Sequence, residues 1–446
     1  MRTERQRRIS VKTAYTNGTI FTMDAANEWY KNGIIITEDG RIVYAGPPND
    51  FEQQSVDETI DLKGKWVLPG LVNTHSHILM TILRGTGDDM NLKPWLEQRV
   101  WPLEQQFTPE IGTASARLGV LEMLKSGTTT FSDMFNPNGI DSDEVIHAIA
   151  DSGIRGAFSH TVFSAGSEAD QRANLNEAER FAKTYRSFAD GRFTTMIAPH
   201  SPYTCTPKAL EECARLAKEN KVMAHIHVAE TDGEIEEILT RYGARPIEHI
   251  RRSGLFDVPA IMAHGVVLND EERAFMKERD IRVAHNPVSN LKLGSGVADV
   301  AALREADVKV GIATDGVMSN NNFDMFEELR LAALLQKGTY KDATRLPAEE
   351  ILAMATRIGA EAVGMKHTGC LKSGRCADFI TIDPSDKPHL QPAAEACSHL
   401  VYAVSGKDVC DVYVEGRQLV KDGQCLTMDE EKIIADANRL RKQLEI

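Results

Sequence analysis

Over nearly 300 residues this chain alternates short apolar runs with amphipathic stretches, and that alternation narrows its fold more than any other feature. The apolar runs are WVLPGLVNTH (66–75), GTTTFSDM (127–134), IRGAFSHTVF (154–163), FTTMIAPHSP (193–202), KVMAHIHVAET (221–231), AIMAHGVVL (260–268), IRVAHNP (281–287) and VKVGIATDG (308–316). Between them lie stretches with helical spacing, among them TPKALEECARLAKEN, DGEIEEILTRYG and NDEERAFMKERD. Strand, helix, strand implies a parallel sheet, and eight such units close into a barrel. A doubly wound sheet fits the alternation too. It is disfavoured because no G-x-G-x-x-G follows any run, and because polar residues gather at the C-terminal ends of the runs, where a (β/α)8 barrel collects its chemistry.

The two ends of the chain have a different texture. TAYTNGTIFTMD, NGIIITEDGRIVYAGPP and ETIDLKGKWVLPG at the front, and GCLKSGRCADFITIDP and KDVCDVYVEGRQLVKDG after about residue 365, read as short strands joined by tight turns. Asn17-Gly18 and Asp39-Gly40 are hairpin signals. The expected organisation is α/β: a (β/α)8 TIM-type catalytic barrel over 67–365, and a small β-sandwich domain formed from both termini, 1–66 and 366–446.

Composition excludes several function classes. The 446 residues carry 51 basic and 65 acidic side chains, a net charge of -14, which argues against a nucleic-acid-binding surface. No apolar run reaches the ~18 residues that a membrane span requires, so no membrane association is expected. The basic start MRTERQRRISVK leads into no apolar segment, so no secretory signal is expected. Seven cysteines without a CxxC suggest reduced thiols in a cytoplasmic protein. Cys370 and Cys376 have no partner pair and read as ordinary thiols rather than metal ligands.

Most of the apolar runs end in a residue that can do chemistry: His75 and His77, His200, His227, His264, His285 and Asp315. A strand points residues i and i+2 to one face, so His75 and His77 can reach one metal ion. His225 and His227 repeat the spacing. A lone histidine at a strand end is more often a hydrogen-bonded structural residue, but seven such positions make coincidence a poor account. A mononuclear site from His75, His77, His227 and Asp315 offers borderline nitrogen donors and one hard carboxylate, a set suited to Zn²⁺, with Fe²⁺ as the alternative. Such a metal lowers the pKa of water towards neutrality. Glu230, three residues after His227, is the candidate general acid/base, although charge compensation at a helix start is an equal reading of HVAETDGEIEE. His264 can hydrogen-bond the nucleophile or the substrate, or can be a structural histidine.

Taken in order, VLPGLVNTHSH, MIAPHSPYTCTP, HIHVAET, IMAHGVVL, VAHNPVSNLKLGSG and IATDGVMSNNNFDMFEELR resemble the amidohydrolase superfamily, and within it the 5-methylthioadenosine/S-adenosylhomocysteine deaminases. The resemblance runs over nearly the whole chain. It implies a (β/α)8 barrel, one divalent metal, and hydrolytic deamination of an adenosine derivative to the inosine derivative plus ammonia. It matches His75, His77, His227 and Asp315 to the metal ligands, Glu230 to the proton shuttle, with Asp315 a second proton acceptor, and His264 to the histidine that orients the nucleophile. It matches Glu104 and His200 to contacts with the ribose and Trp95 to an aromatic wall of the pocket. Taken alone, a glutamate such as Glu104 is more often an ordinary exposed helix residue. Where some members have an arginine after the third strand this chain has His160, and Arg172 matches a second arginine loosely; both are expected to face the substrate's 5′ substituent. No lysine ends the fourth strand, FTTMIAPH, which favours a single metal over two.

The expected partner is therefore a small-molecule nucleoside, with no nucleic acid and no membrane, and a homo-oligomer is expected. The nearest alternative is an aminohydrolase or chlorohydrolase acting on a triazine, guanine or another nitrogen heterocycle with the same metal site. A metal-containing binding protein without turnover is the alternative from a different class, disfavoured by Glu230 beside all four ligand positions.

Overall fold

The computed structural model describes residues 11–48, 55–136 and 138–445, so most of the basic start of the chain lies outside the described residues. Eight strands hydrogen-bond side by side in chain order: Leu71–Ser76, Thr128–Phe135, Arg155–Val162, Phe193–Pro199, Met223–Val228, Ala260–His264, Ile281–His285 and Val310–Ile312. Every pairing among them is parallel, which places all their C-terminal ends on one rim. Each coincides with one of the apolar runs, the first two extending one residue past its end. The helical stretches also form as expected, as Pro207–Asn220, Asp232–Tyr242 and Asp270–Glu278, capped by Thr206, Thr231 and Asn269. Pro207–Asn220 shows why such stretches fold this way: Leu210, Cys213, Leu216 and Ala217 recur at three- and four-residue spacing and are all buried.

The barrel is nearly closed. First and eighth strands are not a regular ladder; side chains join them instead. Asn73 Nδ2 donates to Thr314 Oγ1 at 2.7 Å, Thr314 N donates to Asn73 Oδ1 at 3.1 Å, and Thr74 Oγ1 donates to Ile312 O at 3.0 Å. One backbone bond crosses the same gap, from Asp315 N to His75 O at 3.1 Å.

The chain ends form one mixed sheet of nine strands. Its junction is Trp66–Pro69, parallel to Thr13–Phe21 on one side and antiparallel to Phe379–Ile382 on the other. Tyr15 and Tyr413 lie on strands three spacings apart, about 14 Å in a flat sheet. Their ring centroids are 5.3 Å apart, so the sheet folds over its own core in the manner of a sandwich.

Three local expectations change. Asp39-Gly40 does turn a hairpin, with both residues at positive φ, but Asn17-Gly18 lies inside the strand Thr13–Phe21 and forms a bulge there. The boundary between residues 66 and 67 falls within Trp66–Pro69, the strand that leads directly into the barrel. Gly70 makes that passage possible, since a Cβ there would meet Thr129 Oγ1 at 2.0 Å. Finally, the helix Glu430–Arg441 packs on the barrel helix Pro109–Lys125 rather than within the terminal sheet, with Arg439 bonded to Glu110 and Lys125 to Glu430.

A fully buried ion pair fastens the terminal sheet to the barrel. Arg155, at the start of the third barrel strand, donates from Nε to Asp378 Oδ2 at 2.8 Å and from Nη2 to Asp378 Oδ1 at 3.3 Å. Asp378 also accepts from Thr368 Oγ1 and from the Glu415 amide, both at 2.7 Å. Removing one partner of a buried pair leaves the other charge uncompensated. Asp378→Ala is therefore expected to lower unfolding free energy by about 3–5 kcal/mol, read by urea denaturation. Burial pushes the Asp378 carboxyl up, but Arg155 outweighs it and holds it below the usual carboxylate range. The contribution is thus complete above the unfolded carboxyl pKa and is lost as pH falls through the lower folded value, so the gap between wild type and variant should close in acid.

Candidate metal centre and active site

The first barrel strand delivers His75 and His77 to the rim. Between them Ser76 faces away and donates to Asp133 Oδ2 at 2.6 Å and to Ser132 O at 2.9 Å. The same Asp133 oxygen accepts the Ile78 amide at 2.7 Å, so one buried carboxyl holds the residues on either side of His77. His227 comes from the fifth strand, and its Nδ1 is fixed by the His200 carbonyl at 2.7 Å. His77 Nδ1 is fixed by Met134 O at 3.2 Å. In both rings that leaves Nε2 turned to the centre.

Asp315 follows the eighth strand at φ 63°, a left-handed backbone that aspartate tolerates better than most residues. Its Oδ2 accepts from Ser289 Oγ and from Ser319 Oγ, each at 2.7 Å. Its Oδ1 faces His75 Nε2 at 3.3 Å and His77 Nε2 at 3.4 Å. His77 Nε2 and His227 Nε2 are 3.2 Å apart, and His75 Nε2 is buried without a hydrogen-bond partner. A divalent ion held tetrahedrally at about 2.0–2.1 Å keeps nitrogen ligands about 3.3–3.4 Å apart. These three separations match that spacing; the ligand atoms of His75, His77 and Asp315 cluster together, as do those of His75, His227 and His264, so the cluster suits a divalent metal.

Burial prepares these donors. It holds the His75 imidazole down at about 4 and lowers His77 and His227 as well, so all three rings are neutral near pH 7 and keep a lone pair that a metal could use. Burial alone would raise Asp315, but the facing imidazoles of His75, His77 and His264 hold it well below the carboxylate range. Glu230 behaves in the opposite way: burial pushes its carboxyl up to about 7, against the pull of His264. Glu230 reaches the cavity because Ala229, at φ 54°, turns the chain just past the strand. Glu234 Oε1 and Oε2 then accept the Ala229 and Glu230 amides at 2.9 and 2.8 Å. The helix-start charges are therefore Asp232 and Glu234, which frees Glu230 for the cavity. His264, also at positive φ, directs Nδ1 to Asn290 Oδ1 at 2.8 Å and Nε2 to Glu230 Oε2 at 3.7 Å.

Above this cluster opens a cavity lined by Trp95, Glu104, His200 and Glu230 together with His77, His227, His264 and Asp315. Glu104 is no exposed helix residue: it is 2 % exposed, accepts from Asn136 Nδ2, and is pushed up by burial to about 8. His200 engages Thr204 Oγ1 through Nδ1 at 3.0 Å and stacks on Phe163 at 4.6 Å between centroids. Two sequence-stretch candidates lie elsewhere. Thr161 and Phe163 face the cavity from the third strand, and alternation turns His160 outward, where its Nε2 meets Asn174 Nδ2 at 2.9 Å. Arg172 is exposed on the helix Glu168–Tyr185. Asp170 and Asn174, four residues apart, line a second hollow that shares Trp101, Asn136 and Phe163 with the cavity; Arg172, two residues from each, falls on the far side. Sequence reading missed Asp133, Glu234, Ser289, Asn290 and Ser319. Only the i+4 spacing of Ser319 from Asp315 and of Glu234 from Glu230 gave any hint.

The comparisons with known proteins agree with this geometry. The amidohydrolase family profile matches residues 66–419. The 5-methylthioadenosine/S-adenosylhomocysteine deaminase of Bacillus cytotoxicus is 58% identical over 436 residues, 98% of this chain and all of that protein. The protein of the same name from Bacillus cereus is 59% identical over 438 residues, with the same coverage. Among solved structures, an adenosine deaminase from Xanthomonas campestris with bound zinc is similar at TM-score 0.90 and 31% identity, covering 97% of this chain and 98% of that one. The zinc complex of an atrazine chlorohydrolase from Arthrobacter aurescens is similar at TM-score 0.88 and 25% identity, covering 96% and 100%.

The two serines on Asp315 Oδ2 fix which oxygen is left for a metal. Removing such partners of a ligating group weakens metal binding by about 10–100-fold. Ser289→Ala with Ser319→Ala is expected to lower metal affinity by that factor with the fold intact, measured by competition with a chromophoric chelator.

Proposed function

The chain belongs to the amidohydrolase family and, within it, to the 5-methylthioadenosine/S-adenosylhomocysteine deaminases, and on that premise we propose that it hydrolyses an adenosine derivative to the inosine derivative and ammonia at the cavity over His75, His77, His227 and Asp315. It is a metal-dependent hydrolytic deaminase, acting on a C–N bond of a cyclic amidine. The observation that carries the assignment of residues is the convergence of His75, His77, His227 and Asp315, all buried except the partly exposed His77, beneath a cavity lined by two buried carboxyls, Glu230 and Glu104.

In this reading His75, His77, His227 and Asp315 hold one divalent ion, zinc in the first instance. When bound, the metal acts as a Lewis acid that makes water a nucleophile near neutral pH. Glu230 takes the proton that water gives up as it adds to carbon 6 of the purine, and delivers a proton to ring nitrogen 1. A carboxyl poised near neutrality by burial can perform both transfers. His264, with its Nδ1 committed to Asn290, turns Nε2 towards the same space and orients the nucleophile. Glu230 or Asp315 then takes the remaining proton of the added hydroxyl and passes it to the amino nitrogen, so that the C6–N bond breaks and ammonia leaves as the C6–O double bond forms. Glu104, with Asn136 and His200, accepts the ribose hydroxyls, and Trp95 walls the purine. No helix of the described residues is long and apolar enough to cross a membrane. Free thiols at all seven cysteines fit a reducing, cytoplasmic setting, and a homo-oligomeric assembly belongs to the same proposal.

Glu230→Gln is expected to keep its metal and lose about 10²–10⁴ in kcat, measured by ammonia release on metal-reconstituted protein. Near-normal turnover removes Glu230 from the mechanism. The sign of the pH dependence follows from its role: kcat/KM should fall on the acid side as Glu230 takes up a proton, and a cation beside it moves that limb below the value near 7 set by burial. Adenosine, 5′-methylthioadenosine, S-adenosylhomocysteine, guanine and melamine form the discriminating panel. Glu104→Gln should raise KM for the nucleosides and leave a ribose-free base unaffected; turnover of guanine or melamine alone transfers the site to the heterocycle alternative.

A further inference from the structure

His225 is the one histidine of the two strand-end pairs that the proposed mechanism does not use. It stands two residues before His227 on the fifth barrel strand and is fully buried. Its Nε2 lies 2.9 Å from His75 Nδ1, with the two rings edge to face at 4.9 Å between centroids. Its Nδ1 is buried with no hydrogen-bond partner. Among the described residues, His225 supplies the hydrogen bond of His75 Nδ1. The other two histidine ligands are held differently, each by a backbone carbonyl that can only accept.

That difference has a chemical consequence. A carbonyl fixes a ring's tautomer, since the nitrogen facing it must carry the proton. An imidazole does not, because His225 Nε2 can donate or accept. If it donates, the His75 proton sits on Nε2, directed at Asp315 Oδ1 3.3 Å away, and His75 has no lone pair for a metal. If it accepts, His75 carries its proton on Nδ1 and Nε2 is a ligand. His225 then carries its own proton on Nδ1. Both arrangements hold two ring protons, so the pair changes tautomer without changing charge.

We propose that His225 is a positioning residue for the metal centre: it accepts the Nδ1 proton of His75 and thereby holds that ring in the orientation and tautomer that ligate. The inference rests on His75 being a ligand. It also explains why the second histidine pair exists, since His227 reaches the metal point and His225 orients the histidine that reaches it from across the barrel.

The test is zinc affinity, read by competition with a chromophoric chelator at matched circular dichroism. His225→Phe keeps a ring and removes the acceptor, and is expected to bind zinc about 10–100-fold more weakly. His225→Gln restores an amide oxygen that can accept, and should recover most of the loss. A merely space-filling role predicts the opposite order, with Phe close to wild type. Nitrogen-15 NMR of zinc-loaded wild-type protein gives the direct readout, independent of whether either variant folds. It should show the proton on His75 Nδ1 and on His225 Nδ1. Wild-type affinity in His225→Phe, no recovery in His225→Gln, or a proton on His225 Nε2 in the loaded protein overturns the proposal. Undiminished zinc binding by His75→Ala instead removes the ligand assignment on which it stands.

Discussion

The hydrogen bond from the Asp315 amide to the His75 carbonyl is the constraint on which the site depends. These residues are 240 positions apart in sequence, at the two ends of a barrel that its eighth strand only just closes. A parallel barrel without that contact would still present histidines at its rim, but His75 and His77 would sit on one edge of an open sheet and Asp315 on the other. Asn73, Thr74 and Thr314 add side-chain bonds across the same gap. Polar residues at this seam do the work that a ladder does between the other strands, and they do it where His75, His77 and Asp315 meet.

A second economy lies in the burial of the side chains around the cavity. Desolvation disfavours whichever form is charged. For an imidazole that is the protonated form, so His75, His77 and His227 are kept as lone-pair donors. For a carboxyl it is the ionised form, so Glu230 and Glu104 are kept ready to carry a proton. One physical cause thus produces ligands and a proton carrier within a few ångströms. Asp315 escapes it because two serine hydroxyls and the neighbouring imidazoles stabilise its charge.

The barrel and the chemistry at its rim were legible because both are periodic or local. Strand-helix alternation fixes the fold class, and a residue at a strand end is adjacent in sequence to the run that positions it. What was not legible depends on register between distant segments. Asp133 lies in the run GTTTFSDM and gives no sign that it grips Ser76 and Ile78; that follows only from how the second strand pairs with the first. Ser289 and Asn290 sit in a short helix after the seventh strand, and their targets, Asp315 and His264, come from other strands. His160 misled for a subtler reason. It is near the end of its strand, as the useful histidines are, but an odd step along the strand turns it to the helices. The Asn17-Gly18 pair misled because an Asn-Gly step supports a bulge within a strand as readily as a turn between two.

The left-handed backbone at Asp315 and His264 restricts how such a centre can change over evolutionary time or by design. Aspartate, asparagine and histidine are the side-chain-bearing residues that enter this region most readily. A glutamate at 315 would keep the charge, and a longer hydrogen-bonding side chain could replace His264, but most replacements of that kind start about 1 kcal/mol or more behind before any contact is made. The choice of side chain at these two positions is therefore narrow for conformational reasons. New reactivity on this scaffold has an easier route through the loops and helices that roof the cavity than through the donors that floor it.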